Sequence, residues 1–405
     1  MSKNTPNSLR FETLTAVIKK LPVSPDNMFL NLFGVDQEES DTIRWGAEYG
    51  TVGMTPFAAP GAPSPVTTDD TFYGEGSARA AFFKEKRYFD EQFLNNLQDP
   101  MDPFKRKKAE QVLAENLQKM NYRIDRRREW MIAQMLFRGG FSYKQEKGIR
   151  LSVDYGIPST HKLQLVGNDV WGTGSTRNPV EDIFDMKKIL SDDAGVAPEY
   201  TVTTTEVIKM LMFDTNVQEL LKKSTFGDGN LFANPAPVLA SLLGVGEIRV
   251  YDAKYEIRSF LSTAASATDT FVVEDTTDME VGGTLRVVDM SKNRAWEDLT
   301  ISAINHSTMT ITTTAACTGT YRAGRDIVIM KKNFVDPYSF MMFNTMAEGK
   351  KVAKVMEAPY GIPRRYGKYA DSKMEWDPDG VWIRVQDKAL PVLYNPETII
   401  TMKVK

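Results

Sequence analysis

The segment from Asp102 to Arg138 constrains the fold more than any other part of the chain. Asp102-Pro103 is a helix start, because proline is tolerated in a first turn and aspartate suits the cap. Apolar side chains then recur at helical spacing, at Val112, Leu113, Leu117, Met120, Ile124, Met131 and Met135, until Gly139-Gly140 ends the run. At the standard rise such a rod is about 54 Å long, well above the usual globular helix. The stretch before it, Gly46 to Gly76, reads as extended and coreless, with Pro56, Pro60, Pro63 and Pro65 among Gly, Ala, Ser and Thr. A spine helix behind a long projecting loop predicts a subunit that reaches its neighbours, not a compact pocket enzyme.

The chain's 405 residues suffice for two or three domains and a sizeable core. A formal net charge of -3 carries no overall nucleic-acid signature, so any DNA contact must be local. Cys317 is the only cysteine, which excludes an intramolecular disulfide and fits a reducing compartment. Its setting, Ala315-Ala316-Cys317-Thr318, reads as a small packed side chain. The first residues lack a signal-peptide pattern, and no apolar stretch reaches the length of a membrane span. The expectation is a protein kept in the cytosol or in something assembled there.

Around the spine the pattern changes repeatedly. Phe11 to Lys20 is a short amphipathic piece, and Met28 to Phe33 is an apolar cluster too short for a core of its own. Ala78 to Phe93 alternates aromatic and charged residues, a strand or strand-helix mixture. Phe141 to Tyr143 and Ile149 to Tyr155, with Gly148 near the bend, predict a hairpin. Helices are expected over Val180 to Leu190, Val207 to Lys223 and Pro237 to Leu243, with strands at Tyr200 to Thr204 and Glu247 to Tyr251. Residues 260 to 330 turn rich in Ser and Thr, with β-prone runs at Thr270 to Val273, Thr284 to Val288, Leu299 to Ile304, Met309 to Thr313 and Ile327 to Met330. That spacing predicts a small all-β insertion. Strand-like runs return at Tyr338 to Phe343, Gly380 to Val385 and Ile399 to Val404.

Catalytic chemistry is sparse. The two histidines, His161 and His306, fall in apparent loops and have no His or Cys partner at ligand spacing, so neither a transition-metal site nor a His-based triad is expected. Phe226-Gly227-Asp228-Gly229-Asn230 lacks the Lys and Ser/Thr of a phosphate loop and reads as a turn. Asp69-Asp70 and the cluster Glu274, Asp275 and Asp278 lack the alternating spacing of a calcium loop. Asp154, Asp228 and Asp252 are carboxylates that no spacing brings together. The expectation is no catalytic residue, no metal and no cofactor. The positive charge, however, is uneven: Lys105, Arg106, Lys107, Lys108 and Arg123, Arg126, Arg127, Arg128 load the spine. Three readings stay open. The strip faces phosphate, it pairs with carboxylates of a neighbouring subunit, or it is a solvated face paired with Glu110, Glu115, Asp125 and Glu129.

The order of parts resembles a tailed-bacteriophage major capsid protein of the lambda-type major capsid protein E family, with the Hong Kong 97-like fold. The residues that carry the resemblance are Asn27-Met28-Phe29-Leu30-Asn31-Leu32-Phe33, the spine's Arg126-Arg127-Arg128-Glu129-Trp130 with its terminal Gly139-Gly140, Val153-Asp154-Tyr155-Gly156 and Ile248-Arg249-Val250-Tyr251-Asp252. The resemblance implies an α+β fold. Residues 1–45 would be an N-terminal arm and 46–80 an extended loop, of which Gly50 to Gly76 lies across the next subunit. Residues 81–177 would be a peripheral domain holding the spine 102–138. An axial domain would comprise 178–259 and 331–375, interrupted by the β-rich insertion 260–330, and 376–405 would return to the peripheral domain.

By the same resemblance the chain would self-assemble as a homo-oligomer of hexameric and pentameric capsomers. The icosahedral shell, assembled in the host cytoplasm, would enclose double-stranded DNA through non-specific contacts. Scaffolding, portal and possible decoration proteins are the implied partners, with no membrane. Ordering of arm and loop only on assembly would couple its cost to correct placement. The β-rich composition of the insertion, rather than the resemblance, carries the further expectation that it braces adjacent capsomers in place of a separate cement protein. The alternative is an accessory virion surface or carbohydrate-binding protein whose 260–330 module is the binder.

Overall fold

The computed structural model describes residues 7–50, 57, 72–98, 102–144, 150–223, 233–291, 294–347, 349–377 and 379–405. The spine is a helix over Pro103–Arg138. Asp102 caps it by accepting the Phe104 and Lys105 backbone N–H groups at 3.0 and 3.1 Å. Gly139 ends it at φ 72°, a left-handed conformation that favours glycine, with its N–H on the Met135 carbonyl at 3.0 Å.

The helix lies along a five-stranded sheet whose hub is the long strand Asp379–Leu393. Ala81–Asp90 pairs antiparallel with that strand, as do Tyr369–Trp376 and Ala353–Glu357 at its two ends. Val35–Gln37 joins Ala353–Glu357 in parallel at the edge. Alternation sends Val381, Ile383 and Val385 into a core with Leu113, Leu117, Met120 and Ile124 of the spine. Leu14 and Ile18 of the helix Phe11–Lys20 fill the same core.

This packing changes the picture of the N-terminal segment. Phe11–Lys20, expected as a short amphipathic piece, is a helix that packs on the chain's own sheet, with Phe11 stacked on Tyr369 at 5.7 Å. Met28–Phe33 is a one-and-a-half-turn helix whose Phe29 meets Phe137 of the spine and Phe343 of a second sheet, at 6.3 and 6.1 Å between ring centroids. Short apolar clusters need a host surface, and here the host is intramolecular. The loop likewise has a structured base. Thr42–Tyr49 and Phe72–Arg79 form an antiparallel ladder; Ile43 and Trp45 are buried just before the expected span, and within it Ala47 alone of the described residues is buried. Its expected crossing segment, residues 51–56 and 58–71, lies outside the described residues, as do Asp69-Asp70, Gly148 and the turn at Phe226 to Asn230.

The second five-stranded sheet runs in the order Lys162–Gln164, Ile399–Lys403, Ser339–Phe343, Tyr200–Thr203, Glu247–Val250. Helices Pro179–Ala194, Thr205–Phe213, Thr215–Lys223 and Pro235–Leu243 build a core on it around Ile183, Leu190, Leu211, Leu239, Phe340 and Ile400. The single helix expected over Val207 to Lys223 is two. Asp214 has an extended backbone (ψ 136°) and starts the second helix by accepting the Asn216 and Val217 N–H groups at 2.9 and 3.4 Å, while Arg177 pairs with its other oxygen at 3.0 Å. An aspartate that can cap competes with helix continuation.

Tyr251–Pro337 is a separate compact unit. Its six-stranded sheet runs Lys254–Phe260, Ile327–Asn333, Thr284–Val288, Trp296–Asn305, Thr310–Thr313, Thr270–Val272. Phe271, Leu285, Val287, Ile301, Ile311 and Met330 form its core, and Cys317 is buried there with them. Its loops are pinned by carboxylates. Glu297 accepts the Tyr321 hydroxyl at 2.8 Å and the Thr318 and Gly319 N–H groups at 2.9 and 3.2 Å. Burial acts to raise the Asp326 carboxyl, but Arg325 and the N–H groups of Arg322 and Met290 outweigh it and hold it at about 2. The whole is an α+β chain carrying an inserted all-β unit.

Candidate functional site

The charged residues of the spine divide along its length. In its first half the helix is exposed on most sides: Phe104 is 77% exposed, and Lys105, Arg106, Lys107 and Lys108 all face solvent. From Met120 onward it is largely enclosed, and Asn121, Asp125, Arg128, Glu129 and Gln134 are buried polar residues. Buried polar groups need partners. Three of these charges find theirs in three different segments.

Arg128 is the centre. Its Nε and Nη2 donate to the two carboxylate oxygens of Asp387 at 2.6 and 2.8 Å, a bidentate fork, and Nη2 also reaches Glu357 at 2.7 Å. Burial alone would favour the neutral guanidine, but Asp387 and then Glu357 outweigh it and push its pKa up. Gly367 backs the cluster at φ 75°, where a Cβ would fall 2.7 Å from the Glu357 carboxylate. One turn earlier, Asp125 pairs with Lys368 at 2.8 Å. Next to Arg128, Glu129 accepts the N–H groups of Phe29 and Leu30 at 3.0 and 2.8 Å and so holds the helix Met28–Phe33. The spine is thereby tied to the long strand, to the lead-in of Tyr369–Trp376 and to the N-terminal segment.

The arginine run expected to act as one strip therefore separates, because successive helical residues point about 100° apart. Arg128 faces inward and is available neither to DNA nor to another subunit. Arg126 is half-buried and donates to the Tyr122 hydroxyl at 3.2 Å. Arg127 is exposed, its guanidinium 5.2 Å from the Trp130 ring centroid. Arg123 is exposed and pairs with Glu85 at 2.8 Å, and Lys105 pairs with the capping Asp102 at 3.5 Å. Lys105 and Arg123 stand roughly 27 Å apart along the axis, so they are not one site. Asp125 and Glu129, read as partners for arginines on the same helix, serve other segments instead. Asp387, Glu357 and Lys368 carry no local signal, being over 200 residues away in sequence. One signal was present: the apolar stripe steps by three or four and then skips from Ile124 to Met131, and Arg128 fills the missing step.

His161 is buried rather than in an open loop. Its two ring nitrogens stand 2.8 Å from the Ile399 carbonyl and 2.8 Å from the Asp193 carboxylate. His306 reaches the Thr276 hydroxyl at 2.9 Å. Asp154 receives the Gly156 N–H at 3.0 Å. Among the described residues no group of three His, Cys, Asp or Glu is placed to hold a metal ion. The geometry is that of a framework with exposed faces.

The family described as phage major capsid protein E matches residues 10–278, more than half of the chain. A search of curated proteins finds no match. Among solved structures, one assigned as the capsid protein of a prophage of E. coli CFT073 is 14% identical. The alignment covers 98% of this chain and 99% of that one, with a TM-score of 0.56, a likeness of fold. A phage-related protein of Bordetella bronchiseptica RB50 aligns at 11% identity over 97% and 96% of the two chains, with a TM-score of 0.47. The capsid of the cyanophage P-SCSP1u aligns at 10% identity over 93% and 87%, with a TM-score of 0.43. With a spine braced from within, a fold shared with a prophage capsid protein and that match along its sequence, the chain belongs to the phage major capsid protein E family, whose members form the virion shell.

Proposed function

We propose that this capsid subunit builds its shell from hexameric and pentameric capsomers and performs no enzymatic step of its own. The observation that carries the reading is the division of the spine. Its second half is locked to three segments by Asp125, Arg128 and Glu129, whereas its first half presents Phe104 and a run of cations outward. A rigid rod that is half internal and half exposed suits a part held stiffly in each copy and offered to others. Modest contacts repeated around closed symmetry then stabilise the assembly through avidity. In this reading Lys105, Arg106, Arg123, Arg126 and Arg127 serve either a neighbouring subunit or the packaged double-stranded DNA. Scaffolding and portal proteins act in assembly within the host cytoplasm, and a decoration protein can follow on the finished shell.

Electron microscopy of the purified chain, expressed with and without a scaffolding protein, tests the core of this. Uniform closed shells tens of nanometres across are expected, and small oligomers under every condition would overturn it. Reversing Lys105, Arg106 and Arg127 to Glu then separates the roles of the cations. Intact shells with a lower DNA content assign them to DNA, whereas loss of assembly assigns them to a subunit interface. Arg128 is left out because its reversal would damage the fold.

A further inference from the structure

The hairpin between Tyr369–Trp376 and Asp379–Leu393 ends in an unusual knob. Trp376 is 89% exposed, more than any other tryptophan of the chain, and Met374 beside it is 42% exposed. Asp379 faces it across the hairpin and Asp377 follows it in the turn, while Glu375 lies on the other face of the strand; none of the three makes an ion pair among the described residues. The other face of the same hairpin is acidic too. The Tyr88 hydroxyl, which donates to the Asp379 carbonyl at 2.8 Å, has its pKa raised by burial and then by Asp90, Asp379 and Glu375. A large apolar side chain so exposed, with two carboxylates beside it, is poorly placed in water and gains by being buried elsewhere.

A complementary hollow lies on the same sheet. A cleft of about 540 Å³ is lined by Phe33, Val35, Met346, Lys350, Lys351 and Lys354 among others. Val35 and Met346 are apolar walls, 49% and 47% exposed. Lys350 and Lys354 pair with Glu48 and Asp36 at 3.0 Å each, but Lys351 holds only the Phe33 carbonyl, at 3.1 Å, and has no carboxylate partner among the described residues. The cleft thus offers apolar walls and, with Asp36 and Glu48 of its lining paired to Lys354 and Lys350, one cation in surplus, opposite in sign to Asp377 and Asp379 of the knob.

One chain cannot bring the two together. Trp376 pairs with Asp379 at one end of the long strand, whereas Ala353–Glu357 beside the cleft pairs with Ala389 to Leu393 at the other. Ten or more strand residues separate them, roughly 34 Å. We infer that the Trp376 knob of one subunit seats in the Val35–Met346–Lys351 cleft of a second copy of this chain. The contact is head-to-tail: each copy offers its knob to one neighbour and its cleft to another, the kind of interface that closes into rings or shells when its rotation closes. The inference rests on the capsid reading and names one of its contacts.

The test is an assembly assay on purified full-length chain. W376A folds, since its side chain is exposed, but should lower shell yield at least tenfold, as should K351E. Combining K351E with D377K, which exchanges the charges, should restore it. Cys317 is buried, so D377C with K351C should give a disulfide-linked ladder of subunits on non-reducing gels of assembled shells. Wild-type chain that never forms shells would overturn the capsid reading itself. Wild-type shells with W376A assembling equally well, or with no ladder from the cysteine pair, would overturn this inference alone. A W376A defect confined to scaffold binding, with no ladder, would also overturn it.

Discussion

Arg128 places a permanent charge in a water-free position, and its partners decide whether that is tolerable. Two carboxylates surround one guanidinium, so removing the cation leaves Asp387, which is fully buried, and Glu357 uncompensated. Breaking such a cluster from one side is more damaging than replacing it whole. R128M should therefore cost about 3–5 kcal/mol in urea unfolding. R128M combined with D387N and E357Q should cost less than R128M alone. A triple variant no more stable than the single one would mean that the carboxylates are not what the arginine serves. At this scale the sequence was half legible. The vacant step in the apolar stripe marks position 128 as internal, but Arg126, Arg127 and Arg128 look alike as letters, and only the helical turn gives them three environments. The partners, distant in the chain, could not be read at all.

Among the elements, the spine was legible from end to end because its cap, stripe and terminal glycine are all local signals. Strands such as Thr284–Val288 and Tyr200–Thr203 were readable for the same reason, their alternation being local. The failures share a cause. The apolar period continues through Val207 to Lys223, so periodicity alone predicts one helix, while the break depends on Asp214 meeting Arg177 from another segment. Replacing that residue tests the account. D214A removes the cap and takes from Arg177 its carboxylate, leaving it the Gly174 carbonyl at 2.6 Å, and should cost about 2 kcal/mol. D214N, which keeps the capping oxygen, should fall between it and wild type by thermal melting. A D214A chain with unchanged Tm would show that the helix break is set by packing alone. The N-terminal segment was readable only in part for a related reason: a short apolar cluster announces that it docks, never on what.

At the level of the whole molecule the inserted unit stands apart. Lys254 lies opposite Asn333 in an antiparallel ladder, and the Phe334 N–H meets the Ala253 carbonyl at 2.8 Å, so the chain enters and leaves this unit side by side. Tyr251 and Tyr255 flank Phe334 at 6.3 and 5.7 Å, an aromatic clasp at that doorway. Replacing residues 254–333 with a short Gly-Ser link should leave the remaining chain folded, with cooperative unfolding and an unchanged near-UV aromatic signature apart from the lost residues. An aggregated or non-cooperative product would show that the unit is needed for folding. If the excised chain also forms shells, their heat resistance against wild type measures the bracing role proposed for the unit; equal resistance would remove that role.

The doorway also bears on inheritance. Two neighbouring strand ends are an address at which coding sequence can be gained, traded or lost by recombination without shifting the register of either five-stranded sheet. The framework has to keep its contacts with its own copies, whereas a module entered and left through neighbouring strands asks of any replacement only that its own termini lie a strand's width apart.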